Sequence, residues 1–179
     1  YIKEKYNKPG NVYVGLVHRL DRPTGGIMVF AKTSKAAETL SKQINEGKFI
    51  KKYYAVIEGN LNKSGVFEDY LLKDDNNNSV VSNLGKYAKL SYQVVDIKDN
   101  KNLVDILLGT GRHHQIRVQF STRGYPLYGD QRYGIQNKKQ LALFAHYLSF
   151  EHPVTKKRLE FDVKPNYGIF KEFFGGKNE

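Results

Sequence analysis

Residues 18–26 read HRLDRPTGG and separate two apolar runs, residues 12–17 and residues 27–31. The apolar runs predict two strands, and the polar segment between them predicts a turn that ends in glycines. Within the turn, Asp21 stands between two arginines. It is either a structural turn residue that binds backbone N–H groups and an arginine, or an ionised group available as nucleophile or base. The residues alone favour the structural interpretation.

Hydrophobic periodicity around this segment indicates the fold class. Thr33 and Ser34 are good N-caps for a helix that ends at Gly47, and its apolar residues share one helix face. Alternating apolar residues predict five further strands, at residues 53–58, 88–97, 103–108, 141–150 and 158–163. An Asn-rich segment predicts an exposed loop or hairpin tip at residues 74–79, and shorter helices are predicted at residues 1–6, 113–123 and 167–174. These elements favour an α+β fold with helices flanking a mixed, largely antiparallel β-sheet.

Composition narrows the class of partner. The 179 residues include 29 Lys+Arg and 18 Asp+Glu, which gives a formal net charge of +11 and favours a polyanionic ligand. The chain has no cysteine, which excludes a disulfide scaffold, thiol catalysis and a cysteine-ligated metal site. No apolar run reaches the ~20 residues that a membrane-spanning helix requires. We therefore expect one cytoplasmic domain without a membrane partner.

A second polar segment, residues 109–117, reads GTGRHHQIR. Its glycines precede the predicted helix, but their spacing fits neither a Walker loop nor a Rossmann turn, so we expect no nucleotide cofactor. His113 and His114 are adjacent and would diverge by ~100° on a helix. A metal site would have to recruit His18 or His146 with carboxylates, and we expect none.

Residues 18–26, followed by IMVFAKT at residues 27–33, resemble the Asp-containing motif of the RluA-type pseudouridine synthases. Three more segments match in the family's order: KKYYAVIEG (51–59), GTGRHHQIRVQFSTRGYPLYGDQRYG (109–134) and LALFAHYLSFEHP (141–153). The resemblance implies a pseudouridine synthase catalytic domain and a cofactor-free isomerase. Its substrate would be uridine in structured ribosomal or transfer RNA, and we expect the enzyme to act as a monomer.

The resemblance also implies roles for individual residues. Asp21 corresponds to the catalytic aspartate, which attacks the sugar, adds to the base or abstracts a ribose proton. Tyr53 corresponds to the tyrosine that packs on the target base and helps to remove the C5 proton, and Arg117 to the arginine that pairs with the aspartate. The expected substrate-binding residues are Arg19, Leu107, His113, Gln115 and Leu143. Arg19 would take the place of the extruded nucleotide, while the two leucines are either pocket walls or ordinary core residues.

Next to Tyr53, Lys51 and Lys52 are either phosphate contacts or solvated surface residues. The chain also departs from the family pattern at four positions. Gly25 stands where serine is usual, His113 stands where threonine is usual, and Phe144 and His146 change a Leu-His-Ala pattern.

The start of the chain carries one more expectation. Residues 7–10, NKPG, imitate a Lys-Pro-x-Gly element that lies on an upstream strand in the family, but they are too close to His18 to be it. We therefore predict a single catalytic domain over residues 1–179 that lacks the family's first strand, with no S4-type RNA-binding domain.

Two other functions share some of these features. A catalytically idle RNA-binding module would need the positive charge but not Asp21, Tyr53 and Arg117 together. A nucleoside glycosidase would need two carboxylates, of which the HRLD segment supplies one.

Overall fold

The computed structural model describes residues 1–175, and its main feature is an eight-stranded β-sheet. In chain order the elements are α1 (Ile2–Lys5), β1 (Gly15–Leu16), β2 (Gly25–Gly26), β3 (Phe30–Ala31), α2 (Ser34–Asn45), β4 (Ile50–Glu58), β5 (Ser64–Lys73), β6 (Ser79–Val81), β7 (Lys86–Lys98), β8 (Lys101–Leu108), α3 (Gln115–Ser121), β9 (Leu143–Glu151), β10 (Arg158–Asp162), a 3₁₀ turn (Gly168–Phe170) and α4 (Lys171–Phe174). The strand order is β10-β9-β4-β8-β7-β5-β6, with antiparallel neighbours throughout, and β2 joins β9 in parallel. The predicted α+β class with a mixed, largely antiparallel sheet is confirmed.

Local sequence explains most of these elements. Thr33 caps α2, because its hydroxyl accepts a hydrogen bond from the Ala36 N–H at 3.2 Å, and Leu40 is buried on the inner face of that helix. The predicted hairpin tip at residues 74–79 connects β5 to β6. No helix within residues 1–175 is long and apolar enough to cross a membrane.

The structure corrects the strand prediction in several places, since β6 was not predicted and β4 begins at Ile50 rather than at residue 53. The apolar runs at residues 12–17 and 27–31 form only the two-residue strands β1 and β3, which pair with each other. Strand β5 was not predicted at all. Its inner face buries Phe67 and Leu71, but its outer face also carries apolar side chains, such as Val66 and Tyr70. Apolar residues on both faces remove the alternation on which the sequence prediction depends.

The sheet has a different cover on each face. Helices α2 and α3 pack on one face, called here the helical face, where α3 contributes Phe120 to the main core and α2 contributes Leu40 to a second one. The opposite face is covered at one end by the C-terminal segment, whose Phe170 packs with Phe144 and Val56. The helical face therefore carries both helices and the loop segments, residues 17–24, 44–47 and 109–114, that border a cavity.

Strand β9 contains a β-bulge. Lys52 pairs with Tyr147 and Tyr53 pairs with Ala145, so His146 is an extra residue on β9. Its ring turns to the face opposite the helices and stacks on Tyr54, with ring centroids 3.7 Å apart. Because of the extra residue, Ala145 and Leu148 both lie on the helical face, in the main core and the second core respectively.

Candidate active site

A cavity of about 690 Å³ opens on the helical face, between the C-terminal end of α2 and the loop that precedes α3. Its floor is formed by β4, β8 and β9. Asp21, Tyr53 and Arg117 all line it, so the structure brings together the three residues predicted to be catalytic. A cavity of this size suits a ligand as large as a nucleotide.

The carboxylate of Asp21 accepts no hydrogen bond from the residues that the structure describes. Its closest cationic neighbours are Arg117 Nη1 at 3.7 Å and His114 Nε2 at 3.8 Å from Oδ2. Of the structural interpretation, the ion pair with an arginine is present, whereas no backbone N–H group of the described residues binds the carboxylate. Burial raises the pKa of Asp21 and outweighs the opposing charges of Arg117 and His113, so the cationic neighbours do not keep its pKa low as we expected.

Backbone contacts fix the turn that carries Asp21. The Asp21 carbonyl accepts a hydrogen bond from the Thr24 N–H at 2.8 Å, and Gly26 pairs with Ala145 on β9. Gly26 has a φ of 128°, and a Cβ atom there would lie 2.3 Å from the Ala145 carbonyl oxygen. Only glycine fits this approach, which anchors the loop to the central sheet.

Arg117 is held mainly by a residue that the sequence analysis missed. Its Nε and Nη2 atoms donate to Asp130 at 2.8 and 2.7 Å, and both side chains are buried. Two parallel hydrogen bonds fix the plane of the guanidinium, which leaves Nη1 facing Asp21. The predicted pairing of Arg117 with Asp21 is thus an ion-pair contact, whereas Asp130 supplies the geometry. The available signal was an acidic residue inside the otherwise basic segment 109–134.

His114 also faces Asp21, and its Nδ1 atom contacts the Tyr133 hydroxyl. The Tyr133 hydroxyl accepts from the Ser79 N–H at 2.8 Å and lies 2.8 Å from His114 Nδ1, to which it can donate its own proton. Burial and the charge of Arg117 lower the pKa of His114 to about 4, which keeps the ring neutral at neutral pH. The Asp21 carboxylate, 3.8 Å from Nε2, favours the tautomer with the ring proton on Nε2, in which Nδ1 accepts from Tyr133. A left-handed backbone at His114, with φ of 50°, gives the ring this position.

The two adjacent histidines do not diverge as predicted. Helix α3 begins only at Gln115, so His113 and His114 precede it and their rings stack with centroids 3.7 Å apart. His113 lies 3.0 Å from the Ser79 hydroxyl and lines a smaller cavity of about 290 Å³ beside the main one. No group of three or more metal-ligating side chains occurs within residues 1–175.

Tyr53 lies on β4 with only 8% of its surface exposed. Burial, with a smaller contribution from the charge of Asp21, raises the pKa of Tyr53 to about 12. The hydroxyl therefore keeps its proton at neutral pH. As a base, this tyrosine would have to release that proton in the same step in which it accepts another.

The predicted substrate-binding residues have different surroundings. Arg19 is exposed at the cavity edge, and Leu107 lines the cavity with 43% of its surface exposed. Leu143 also lines it but is 3% exposed and belongs to the main core, so it serves as wall and core together. Gln115 binds Thr110, the Arg112 N–H and the Lys89 carbonyl, which leaves one amide N–H for a ligand.

Two of the departures from the family pattern are neighbours in space. Gly25 pairs with Phe144, and a Cβ atom at Gly25 would lie 3.2 Å from the Phe144 ring and 2.7 Å from the Tyr167 hydroxyl. The space that a serine side chain would need at position 25 is thus filled by aromatic groups. Glycine at 25 therefore leaves room for Phe144 and Tyr167.

Comparison with known proteins also points to the pseudouridine synthases. A family model described as RNA pseudouridylate synthase matches residues 1–122. Ribosomal large subunit pseudouridine synthase D of Zymomonas mobilis is 33% identical over 165 residues, which cover 84% of this chain and 52% of that protein. The RNA pseudouridine synthase YlyB of Bacillus subtilis is 35% identical over 155 residues, covering 83% and 51% respectively. The chain spans about half the length of the curated relatives it matches.

Two solved human structures have the same fold. RNA pseudouridylate synthase domain containing 1 superposes with a TM-score of 0.76 at 22% identity, over 93% of this chain and 73% of that one. RNA pseudouridylate synthase domain containing 4 gives 0.73 at 24% identity, over 89% and 75%. The matching family model and relatives, together with a cavity lined by the motif residues, establish that the chain belongs to the RNA pseudouridylate synthase family and to its RluA-type branch.

Proposed function

We propose that this chain isomerises uridine to pseudouridine in structured ribosomal RNA. The observation that carries the proposal is the position of Asp21, a carboxylate without a hydrogen-bond partner among residues 1–175, between Arg117 and His114 in a nucleotide-sized cavity. The names of the relatives favour ribosomal over transfer RNA as the substrate. Action on ribosomal RNA fits a cytoplasmic protein, and a cavity lined by one chain fits a monomer.

The reaction requires little from the protein beyond positioning and proton transfer. The bond between C1′ and N1 of the nucleotide breaks, C1′ bonds to C5, C5 loses a proton and N1 gains one. Atoms and electrons balance without an oxidant or reductant. A uridine rotated out of its stack would place its ribose and base against Asp21, with the ring of Tyr53 as a flat surface for the base. The three possible roles of Asp21 share one requirement, an ionised carboxylate beside the nucleotide.

The cavity gives little support to a nucleoside glycosidase. Asp21 is the one carboxylate among the described residues that line it, whereas such enzymes use two. Asp130 is close, but it is buried and bound to Arg117 through both oxygens. An idle RNA-binding module does not require a partly buried carboxylate beside Arg117 in the cavity, where burial raises the pKa of Asp21.

Product analysis tests the proposal and separates the alternatives. Total RNA from cells with and without the active protein is mapped for pseudouridine by mass spectrometry, with the Asp21→Asn variant as control. We expect one or more uridines to be converted only by the unchanged protein. Release of free uracil would indicate a glycosidase, and unaltered RNA with retained binding would indicate an idle module.

A further inference from the structure

Lys51 and Lys52 are adjacent in the chain but lie on opposite faces of β4, because side chains alternate along a strand. The Lys52 ammonium lies 3.6 Å from Asp105 and 5.5 Å above the Tyr147 ring, on the face away from the helices. The side chain of Lys51 lines the main cavity. One lysine is therefore occupied by an internal partner, whereas the other faces the site.

Lys51 has no internal counterion in the part of the chain that the structure describes. No carboxylate oxygen in residues 1–175 lies within 4.0 Å of its ammonium, and that group makes no hydrogen bond there. The side chain is nevertheless half-buried, and burial lowers the pKa of Lys51. A partly desolvated cation without a partner is costly to the folded protein, and a negatively charged ligand would offset that cost.

His18 contributes a second donor at the same end of the cavity. Its Nε2 atom accepts from the Val29 N–H at 3.1 Å, so its proton is on Nδ1 when the ring is neutral. Burial and the nearby charge of Lys51 lower the pKa of His18 to about 4, which keeps the ring neutral at neutral pH. The Nδ1–H group is buried and has no acceptor among the described residues. Both groups at this end are thus hydrogen-bond donors.

We infer that Lys51, assisted by His18, forms a subsite for a backbone phosphate next to the target uridine. The inference rests on the proposed function, because it takes RNA as the ligand. The cavity lining contains four cationic side chains and one carboxylate, a balance that suits a phosphodiester. Lys51 and Tyr53 are two residues apart on the same face of β4, so their Cα atoms are about 7 Å apart. A phosphate bound at Lys51 would hold the RNA backbone in place while the base of the target uridine reaches Tyr53.

Salt-dependent binding tests the subsite independently of catalysis. Fluorescence anisotropy of a labelled oligouridine RNA is measured over a series of KCl concentrations for the unchanged protein, Lys51→Gln, Lys51→Arg and the matched control Lys52→Gln. Loss of one phosphate contact to a single strand lowers the slope of log K against log salt by about 0.7. For Lys51→Gln we expect this lower slope and an approximately tenfold weaker affinity for RNA. Lys51→Arg and Lys52→Gln should keep the slope of the unchanged protein.

The outcomes separate this inference from the proposed function. An unchanged slope in Lys51→Gln, an equal loss in Lys52→Gln, or wild-type binding without salt dependence would each overturn the phosphate subsite. A slope reduced by about 0.7 in Lys51→Gln supports the phosphate subsite even if RNA mapping detects no pseudouridine. Conversely, pseudouridine formation by the unchanged protein together with an unchanged slope in Lys51→Gln would support the isomerase and contradict the phosphate subsite. Thermal melting of each variant shows whether it is folded.

Discussion

Arg117 and Asp130 are joined by two hydrogen bonds of 2.8 and 2.7 Å, in a buried pair that turns the third guanidinium nitrogen toward Asp21. The orientation of the group beside the candidate catalytic carboxylate therefore depends on a residue that does not line the cavity. Asp130 is in turn oriented by the N–H groups of Arg132 and Tyr133, which both donate to it at 3.0 Å.

Asp130→Asn tests this dependence. The amide cannot accept both hydrogen bonds from Arg117, and the buried guanidinium loses its nearest counterion, which costs up to about 3–5 kcal/mol of unfolding free energy. We expect a lower Tm and a lower kcat. The matched control is Asp69→Asn, which breaks a second bidentate pair, with Arg123, away from the cavity. Chemical denaturation and pseudouridine formation should show lower stability in both variants but lower kcat only in Asp130→Asn.

Asp21→Asn is expected to abolish turnover and to stabilise the protein at neutral pH. Burial raises the pKa of Asp21 above its ordinary value of 3.8. At pH values between 3.8 and that raised pKa, the native state binds more protons than the unfolded state. Stability therefore falls as pH rises through that window and stays lower above it. At neutral pH we expect the Asn variant to melt at a higher temperature than the unchanged protein, with the difference vanishing below pH 3.8. Equal melting temperatures at all pH values would contradict this account.

The same shift sets the acid limb of the pH–rate profile. Each proposed role for Asp21 needs the ionised carboxylate, so kcat/KM of the free enzyme should rise with pH around the raised pKa of Asp21. We expect a midpoint above 3.8, measured as initial rates of pseudouridine formation in buffers of constant ionic strength. A midpoint at or below that value would show that Asp21 does not control the rate.

Tyr133→Phe removes the hydroxyl that can donate to His114 Nδ1. Without it, the Nε2–H form directed at Asp21 loses part of its preference over the other tautomer. A hydrogen bond worth about 1 kcal/mol corresponds to a several-fold fall in kcat, and KM should change less. Nitrogen NMR of the His114 ring would show the tautomer directly. Tyr125→Phe is the control, because the Tyr125 hydroxyl makes no hydrogen bond in the described part of the chain.

Gly25→Ser should destabilise the protein by about 1–3 kcal/mol, because its side chain would crowd Phe144 and Tyr167. The double variant Gly25→Ser/Phe144→His, which restores the usual family residues, should recover part of that loss. A thermodynamic cycle over the two single variants and the double variant measures their coupling by chemical denaturation. Additive effects would mean that the two departures are independent.

The sequence predicted a helix that has a clear local pattern and a site whose residues lie in recognisable motifs. Helix α2 followed from its cap and apolar face, and the grouping of Asp21, Tyr53 and Arg117 in one cavity was implied by the resemblance of four motifs to the RluA-type family. Their catalytic roles remain predictions that the variants above test.

The parts that the sequence did not predict depend on contacts between distant segments. Asp130 reaches Arg117 only after the loop behind α3 folds back, and Tyr133 meets Ser79 across 54 positions of chain. The opposite directions of the Lys51 and Lys52 side chains could have been predicted if the strand had been started at Ile50, because side chains alternate along a strand.

The additional residue in β9 has a consequence for how the molecule is divided. Ordinary alternation would place Ala145 and Leu148 on opposite sides, and a single strand could not wall the cavity floor while also supporting α2. By shifting the alternation at His146, one continuous ribbon of backbone supports both packing units. The nucleotide-sized cavity and the helix bordering it are therefore built on one strand, and deleting His146 would leave Ala145 and Leu148 on that same face while removing the ring that stacks on Tyr54.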